Sequence, residues 1–176
     1  MMNGTSISQV KVNKNRRHSK ERNKLMHIQQ LQADQPYLSQ IVRLWNDNAQ
    51  ETADCSLSEE EMEAIGQQLA DYVQSPYGMV HIAVDDEQKL VGYGLASLKK
   101  DMLTEDYIGQ VDELYVVPAY RKQKAGQAIF HSLKSWLENQ NVVAIRVFVD
   151  VDNASAQAFW ERTGFSKEFY VMSEEE

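Results

Sequence analysis

Three strand-like runs follow one another without an intervening helix, over residues 79–84, 90–98 and 107–117, and the segments on either side carry a different hydrophobic period. The break Asp85-Asp86-Glu87-Gln88-Lys89 reads as a hairpin loop, which pairs its strands antiparallel, and Pro118 halts the third run. Upstream, residues 27–32 form a short first strand. Asp34-Gln35-Pro36 reads as a helix start, with Tyr37, Ile41, Leu44 and Trp45 on one face. Ser58 with Glu61 forms a capping box ahead of Met62, Ile65, Leu69 and Tyr72/Val73, and Pro76 closes that helix. Downstream, Ile129, Phe130, Leu133, Trp136 and Leu137 mark a helix ending near Asn139. Residues 142–149 are an almost uninterrupted β-branched strand, expected to be buried on both faces. Asp152-Asn153 caps a helix that stops at Gly164, and residues 165–172 read as a last strand. The expected order is β-α-α-β-β-β-α-β-α-β.

A chain of 176 residues, 43% hydrophobic and 25% charged, fits one globular domain with one core. Its single cysteine, Cys55, excludes an internal disulfide and a cysteine-rich zinc site and fits a reducing cytoplasm. The acidic stretch around it argues against a nucleophilic thiol. No apolar run is long enough to span a membrane, and the start lacks the apolar segment of a secretory signal, so a cytoplasmic location is expected.

The net charge of -8 conceals an asymmetry. Residues 1–25 carry seven basic side chains and one acidic, whereas the rest carries 11 basic and 25 acidic. The expected organisation is a basic, disordered extension over 1–25 and a functional domain over 26–176. The extension lacks aromatic residues for base stacking, so nucleic acid is an expected partner only through that tail. The acidic body steers toward a cationic small substrate. His81 and His131 lie far from any matching cysteine or carboxylate pair and read as ordinary core or surface histidines, so no metal is expected.

Chemistry concentrates in Val116-Val117-Pro118-Ala119-Tyr120-Arg121-Lys122-Gln123-Lys124-Ala125-Gly126-Gln127-Ala128. A strand stops, a basic loop follows, and a helix begins. A helix N-terminus offers unpaired N–H groups and partial positive charge, which suits a pyrophosphate; a basic turn that merely connects strand to helix is the alternative.

This stretch resembles the GNAT superfamily of N-acetyltransferases. Leu114-Tyr115-Val116-Val117-Pro118 and then Arg121-Lys122-Gln123-Lys124-Ala125-Gly126 are similar to the family's strand and its Gln/Arg-x-x-Gly-x-Gly/Ala coenzyme A signature, with Lys124 in place of the first glycine. A non-glycine there is expected to keep an ordinary φ and a less extreme loop. Roughly 30 residues on, the run from Asn153 through Ala156, Phe159 and Trp160 to Gly164-Phe165 is similar to Asn-x-x-Ala-x-x-Phe-Tyr-x-x-x-Gly-Phe.

The resemblance implies an α/β (α+β) fold, a mixed and mostly antiparallel sheet of six to seven strands flanked by about four helices. It implies acetyl-CoA as cosubstrate and transfer of its acetyl group to a primary amine of a small molecule or peptide by direct attack. Backbone groups of Tyr115, Val116 and Val117 would hold the pantetheine arm, and one N–H would polarise the thioester carbonyl. Arg121, Lys122, Gln123, Lys124, Ala125, Gly126 and Gln127 would hold the pyrophosphate, with Asn153 as helix cap and coenzyme contact. An amine with a pKa near 10.4 arrives protonated, so a base is needed. Asp112 and Glu113 are the candidates. Alternation along a strand points them to opposite faces unless a bulge intervenes, and the comparison within the family favours Asp112. Trp160 replaces the usual tyrosine acid; its indole N–H donates a hydrogen bond but is no acid near pH 7, leaving water or Tyr115 to supply the proton. The rival reading is a catalytically weak acyl-CoA-binding sensor of the same fold, and a homodimer stays open.

Overall fold

The computed structural model describes residues 26–33, 36–172 and 174. The basic segment 1–25 and the helix-start residues Asp34 and Gln35 lie outside the described residues. The order is β1 (Met26–Gln30), α1 (Leu38–Ala53), α2 (Glu59–Gln74), β2 (Gly78–Asp85), β3 (Leu90–Lys100), β4 (Tyr107–Val116), a 3₁₀ turn (Pro118–Tyr120), α3 (Ala125–Asn139), β5 (Ala144–Val147) and α4 (Ala154–Arg162). One mixed sheet runs β1-β2-β3-β4-β5, antiparallel throughout except for the parallel pair β4–β5.

Alternation along β2 explains the layering. Val80, Ile82 and Val84 face α1 and α2 and pack with Ile41, Leu69 and Tyr93. Met79 and Ala83 face the opposite way, into a core with Ile129, Leu133 and Leu137 of α3 and Trp160 of α4. The sheet is thus covered on both faces. Close approach of α3 requires Gly94, where a Cβ would stand 2.7 Å from Ile129 Cγ2 and 2.9 Å from Leu133 Cδ1. The capping box on α2 forms as its spacing predicts: Glu61 N–H donates to Ser58 Oγ (3.2 Å) and Ser58 N–H to the Glu61 carboxylate (2.7 Å).

Two strand expectations fail. The sheet has five strands among the described residues, because 165–172 carries no ladder and Phe169, Tyr170, Val171 and Met172 stand exposed. The run 142–149 is not buried on both faces; only Ala144–Val147 is strand, and Val143 and Phe148 are exposed. The reason is position: β5 is last in the sheet order, whereas β2 and β3 are the doubly covered strands. A β-branched run reports strand propensity, and a strand's neighbours decide how much of it is buried.

Candidate active site

β4 positions the site. Its register against β3 pairs Glu113 with Leu95 and Val111 with Ala96, so Asp112 is the extra residue of a β-bulge. Val111, Leu114 and Val116 pack toward α3, and Tyr115 packs toward α1 and α2. The bulge interrupts strict alternation and turns both carboxylates to the α1/α2 face. There Tyr72 Oη of α2 donates to Asp112 Oδ2 (2.8 Å), Gln110 Nε2 donates to Asp112 Oδ1 (3.0 Å), and Asn48 Nδ2 of α1 donates to Glu113 Oε1 (2.9 Å). The expectation of opposite faces is corrected by the one-residue insertion.

These surroundings set proton affinities. Burial, and secondarily the Asp112 charge, pushes Glu113 up to about 7. Burial pushes the Tyr72 phenol up to about 12, and the Asp112 charge adds to it. Burial also raises Tyr93, whose ring stacks on Trp45 (5.8 Å) and lies 6.1 Å from Tyr115, and whose hydroxyl has no hydrogen-bond partner among the described residues. Gly92 and Gly94, by contrast, face α3 and not this cluster.

Beyond Val111 the other edge of β4 opens. The β4–β5 ladder covers only Ile108–Val111 against Ala144–Val147, so from Asp112 onward β4 has no partner on that side among the described residues. Val117 N–H donates to Val91 O across β3, and antiparallel alternation turns the N–H of Val116 toward the open edge. The chain then passes through the 3₁₀ turn into the loop 121–127. Lys122 and Lys124 both occupy the left-handed region, with φ of 61° and 67°. Lys124, the N-cap of α3, therefore takes the left-handed conformation that a glycine would supply, and the expectation of an ordinary φ is overturned. The first helical bond runs from Ala128 N–H to Lys124 O, leaving the amides of Ala125, Gly126 and Gln127 without intrahelical acceptors. A left-handed residue followed by helical ones aims successive N–H groups into one concavity, a shape that fits a phosphate.

Arg121 behaves differently from the lysines. Its Nε donates to Val116 O (2.7 Å), and its guanidinium pairs in two-pronged fashion with the Glu51 carboxylate of α1, Nη2 to Oε2 at 2.6 Å. The guanidinium also lies over the Tyr115 ring at 5.4 Å. The Arg121 hydrogen bond holds Glu51 below the usual carboxylate range, against the opposing effect of its burial. Arg121 fastens α1 to the loop, and Lys122 and Lys124 are the exposed cations of the signature.

The acetyltransferase (GNAT) family model matches residues 38–165, well over half of the chain and the whole of this arrangement. The chain belongs to the GNAT acetyltransferase family. No curated protein sequence matches it significantly. Among solved structures, the chain is similar to a possible acetyltransferase from Clostridium difficile 630 (21% identity, 87% of this chain and 98% of that one, TM-score 0.71). It is also similar to AAC(6')-Iy in complex with the bisubstrate analogue CoA-S-monomethyl-acetylneamine (16% identity, 86% and 98% covered, TM-score 0.70). A third is an aminoglycoside acetyltransferase from an uncultured soil metagenomic sample, in complex with sisomicin (18% identity, 86% and 95% covered, TM-score 0.68). At these identities the likeness is one of fold.

Within this GNAT fold, the second motif is packed. Asn153 caps α4, its Oδ1 accepting from Ala156 N–H (2.9 Å). Trp160 is buried, edge to face with Phe130 (5.1 Å), Phe159 (4.9 Å) and Phe165 (5.2 Å), a core position away from the carboxylates. Gly164 takes a φ of 100° past the helix end, where Phe165 N–H returns to Trp160 O.

Two open clefts lie elsewhere, one of about 460 Å³ against Phe130, Lys134 and Phe165, the other of about 610 Å³ between α1 and α2 at Val42 and Met62. Neither is lined by Asp112, Glu113 or the 121–127 loop, where titratable groups and free amides converge. Among the described residues no group of three or more His, Cys, Asp or Glu side chains could hold a metal, and no helix is long and apolar enough to cross a membrane. Sequence reasoning missed Asn48, Glu51 and the polar duty of Tyr72. A signal existed: the inward stripe Ile41, Leu44, Trp45 continues at helical spacing to Asn48 and Glu51, turning polar in its last turn.

Proposed function

We propose that the protein transfers the acetyl group of acetyl-CoA to a primary amine of a cationic small molecule or peptide by direct attack, with Glu113 as the base. The observation that carries this reading is the bulge at Asp112, which puts two carboxylates on the acceptor face of the strand whose other edge opens into the loop at the start of α3. The amides of 125–127 and the side chains of Lys122 and Lys124 would take the pyrophosphate. Val116 N–H would donate to the thioester oxygen as it gains charge. Glu113, with a proton affinity near neutrality, accepts the proton of the incoming ammonium group and leaves a lone pair free to attack. As the C–N bond forms the nitrogen becomes cationic and gives up its second proton, which passes through water to the sulfur as the C–S bond breaks; the products are the amide and a free thiol, of pKa about 8.5 in an ordinary thiol, so Trp160 is not required as an acid.

The acceptor class follows from charge. Asp47, Glu51, Asp112 and Glu113 surround this face, and Arg121, a cation beside Tyr115, is paired with Glu51. That is a site for a positively charged amine, in keeping with the aminoglycoside bound to the soil acetyltransferase of the same fold. The test is thiol release from acetyl-CoA across a panel of aminoglycosides, polyamines and peptides. Turnover with polycationic amines and little with neutral ones supports the reading. Acetyl-CoA that binds without thiol release with any amine replaces it by the sensor reading.

A further inference from the structure

Glu113 as base accounts for one of the two carboxylates on the acceptor face. The other is unusually well held. Asp112 sits at the bulge with one oxygen on Tyr72 Oη (2.8 Å) and the other on Gln110 Nε2 (3.0 Å), so its carboxylate is fixed in place beside Glu113. Among the described residues Glu113 has a single hydrogen bond, from Asn48 at 2.9 Å, which leaves its second oxygen for other partners. A charge fixed next to a mobile proton acceptor in a buried setting is an arrangement that sets proton affinity.

We propose that Asp112 is a positioning residue of the reaction, a carboxylate clamped by Tyr72 and Gln110 on the face it shares with Glu113, whose charge acts on that neighbouring base and on the incoming ammonium. The inference rests on Glu113 being the base. Without Asp112, Glu113 would be a weaker base, and the ammonium would lose one of the two carboxylates that draw it in. The proton passes from ammonium nitrogen to Glu113 carboxylate oxygen, and from there to water once the product amide has formed.

Other groups on this face do not supply the same effect. From α1 come Asn48, neutral, Asp47, whose charge bears on Tyr115 and not on Glu113, and Glu51, neutralised by Arg121. From β3 comes Tyr93, held neutral by burial; from β4, Tyr115, likewise raised by burial. From α2 comes Tyr72, whose hydroxyl donates a hydrogen bond to Asp112 and which stays neutral up to about 12. Asp112 is the charge that bears on Glu113 after burial itself.

The experiment reads the pH dependence of kcat/KM for an acceptor that the parent protein acetylates, together with a 13C NMR titration of the Glu113 carboxyl in the cofactor-free protein. The parent is expected to show a midpoint near 7 by both readouts. In D112N the midpoint is expected about one unit lower, with the plateau down roughly tenfold and the KM for acetyl-CoA unchanged. D112E, which keeps the charge, is expected to return the midpoint toward the parent value. Should D112N fail to fold, D112S removes the same charge in a smaller side chain and carries the same expectation. A midpoint that stays in place when the charge is removed overturns the proposal, because a purely structural link from α2 to β4 would alter stability without moving it. E113Q separates the two readings. If E113Q is crippled while D112N keeps the parent midpoint, Glu113 stands as base and the role given to Asp112 falls. If E113Q turns over like the parent, the base assignment falls first.

Discussion

The C-terminal end of β4 and its α1/α2 face are built from different materials. At the end, the groups proposed to meet the pyrophosphate are backbone amides at the start of α3, and their direction is set by φ. On the face, the working groups are side chains gathered from α1, α2 and β4, and their meeting depends on one inserted residue. A backbone site tolerates a change of side chain, which is why Lys124 can stand where a glycine is usual and still adopt φ 67°. A side-chain site tolerates a change of shape poorly and a change of charge hardly at all.

The sharpest way to test this contrast is to remove a charge from the face. Glu113→Gln is expected to lower turnover by about 10²–10⁴-fold in a thiol-release assay while calorimetry shows unchanged acetyl-CoA affinity. The same substitution should raise stability at alkaline pH. Glu113 has a folded-state pKa of about 7 against 4.5 for the ordinary group, so the fold binds this proton more tightly than the unfolded chain does. The resulting stability is fully present below about pH 4.5 and is lost as pH rises through about 7. By pH 8 the glutamine variant should be more stable than the parent by up to about 3 kcal/mol in urea denaturation, with little difference near pH 4. A variant that is dead and no more stable at pH 8 would show that Glu113 is not buried as described.

Backbone-side tests are expected to be smaller. Gly94→Val places methyls where even a Cβ meets Ile129 and Leu133 below 3 Å, and should destabilise the fold by about 1–3 kcal/mol without altering the pH midpoint of the folded fraction. At Gly126 a Cβ would meet Phe159 and Leu114 at 3.5 and 3.6 Å, ordinary contact, so Gly126→Ala should bind acetyl-CoA like the parent. Gly126→Val, bulkier at the mouth of the amide cradle, should weaken binding by at least about tenfold, or 1.4 kcal/mol. Equal affinities for parent and valine variant would put the cofactor elsewhere. The smallest effect is expected at Lys124. Replacing a strained left-handed residue by glycine should add about 1 kcal/mol and raise Tm by about 2–4 °C in a chain of this size. Retained acetyl-CoA binding in Lys124→Gly would confirm that the amide, and not the lysine charge, is what that position provides.

Much of this arrangement was legible from residue order. The capping box Ser58/Glu61, the hairpin at 85–89, the proline stop after β4 and the glycine end of α4 are local rules, each written within a few residues and each realised. The course of the 121–127 loop was legible for the same reason, since a strand, a basic turn and a helix start are consecutive. The polar last turn of α1 was visible in principle, but its partner Glu113 lies 65 residues further along, and no local pattern pairs them.

Sequence alone thus determined the type and order of the helices and of β1 to β5, the family, and the place of the α3 N-terminus, because propensity, capping and hydrophobic period act over a handful of neighbours. Tertiary structure alone decided the rest. Whether Asp112 and Glu113 share a face depended on β3 supplying one residue opposite two of β4. Whether 142–149 was buried depended on β5 lying last in the sheet order among the described residues. Whether Arg121 served the loop or α1 depended on Glu51 coming within reach across 70 residues of chain. Each is a question of which groups meet, and only the packed chain brings them together.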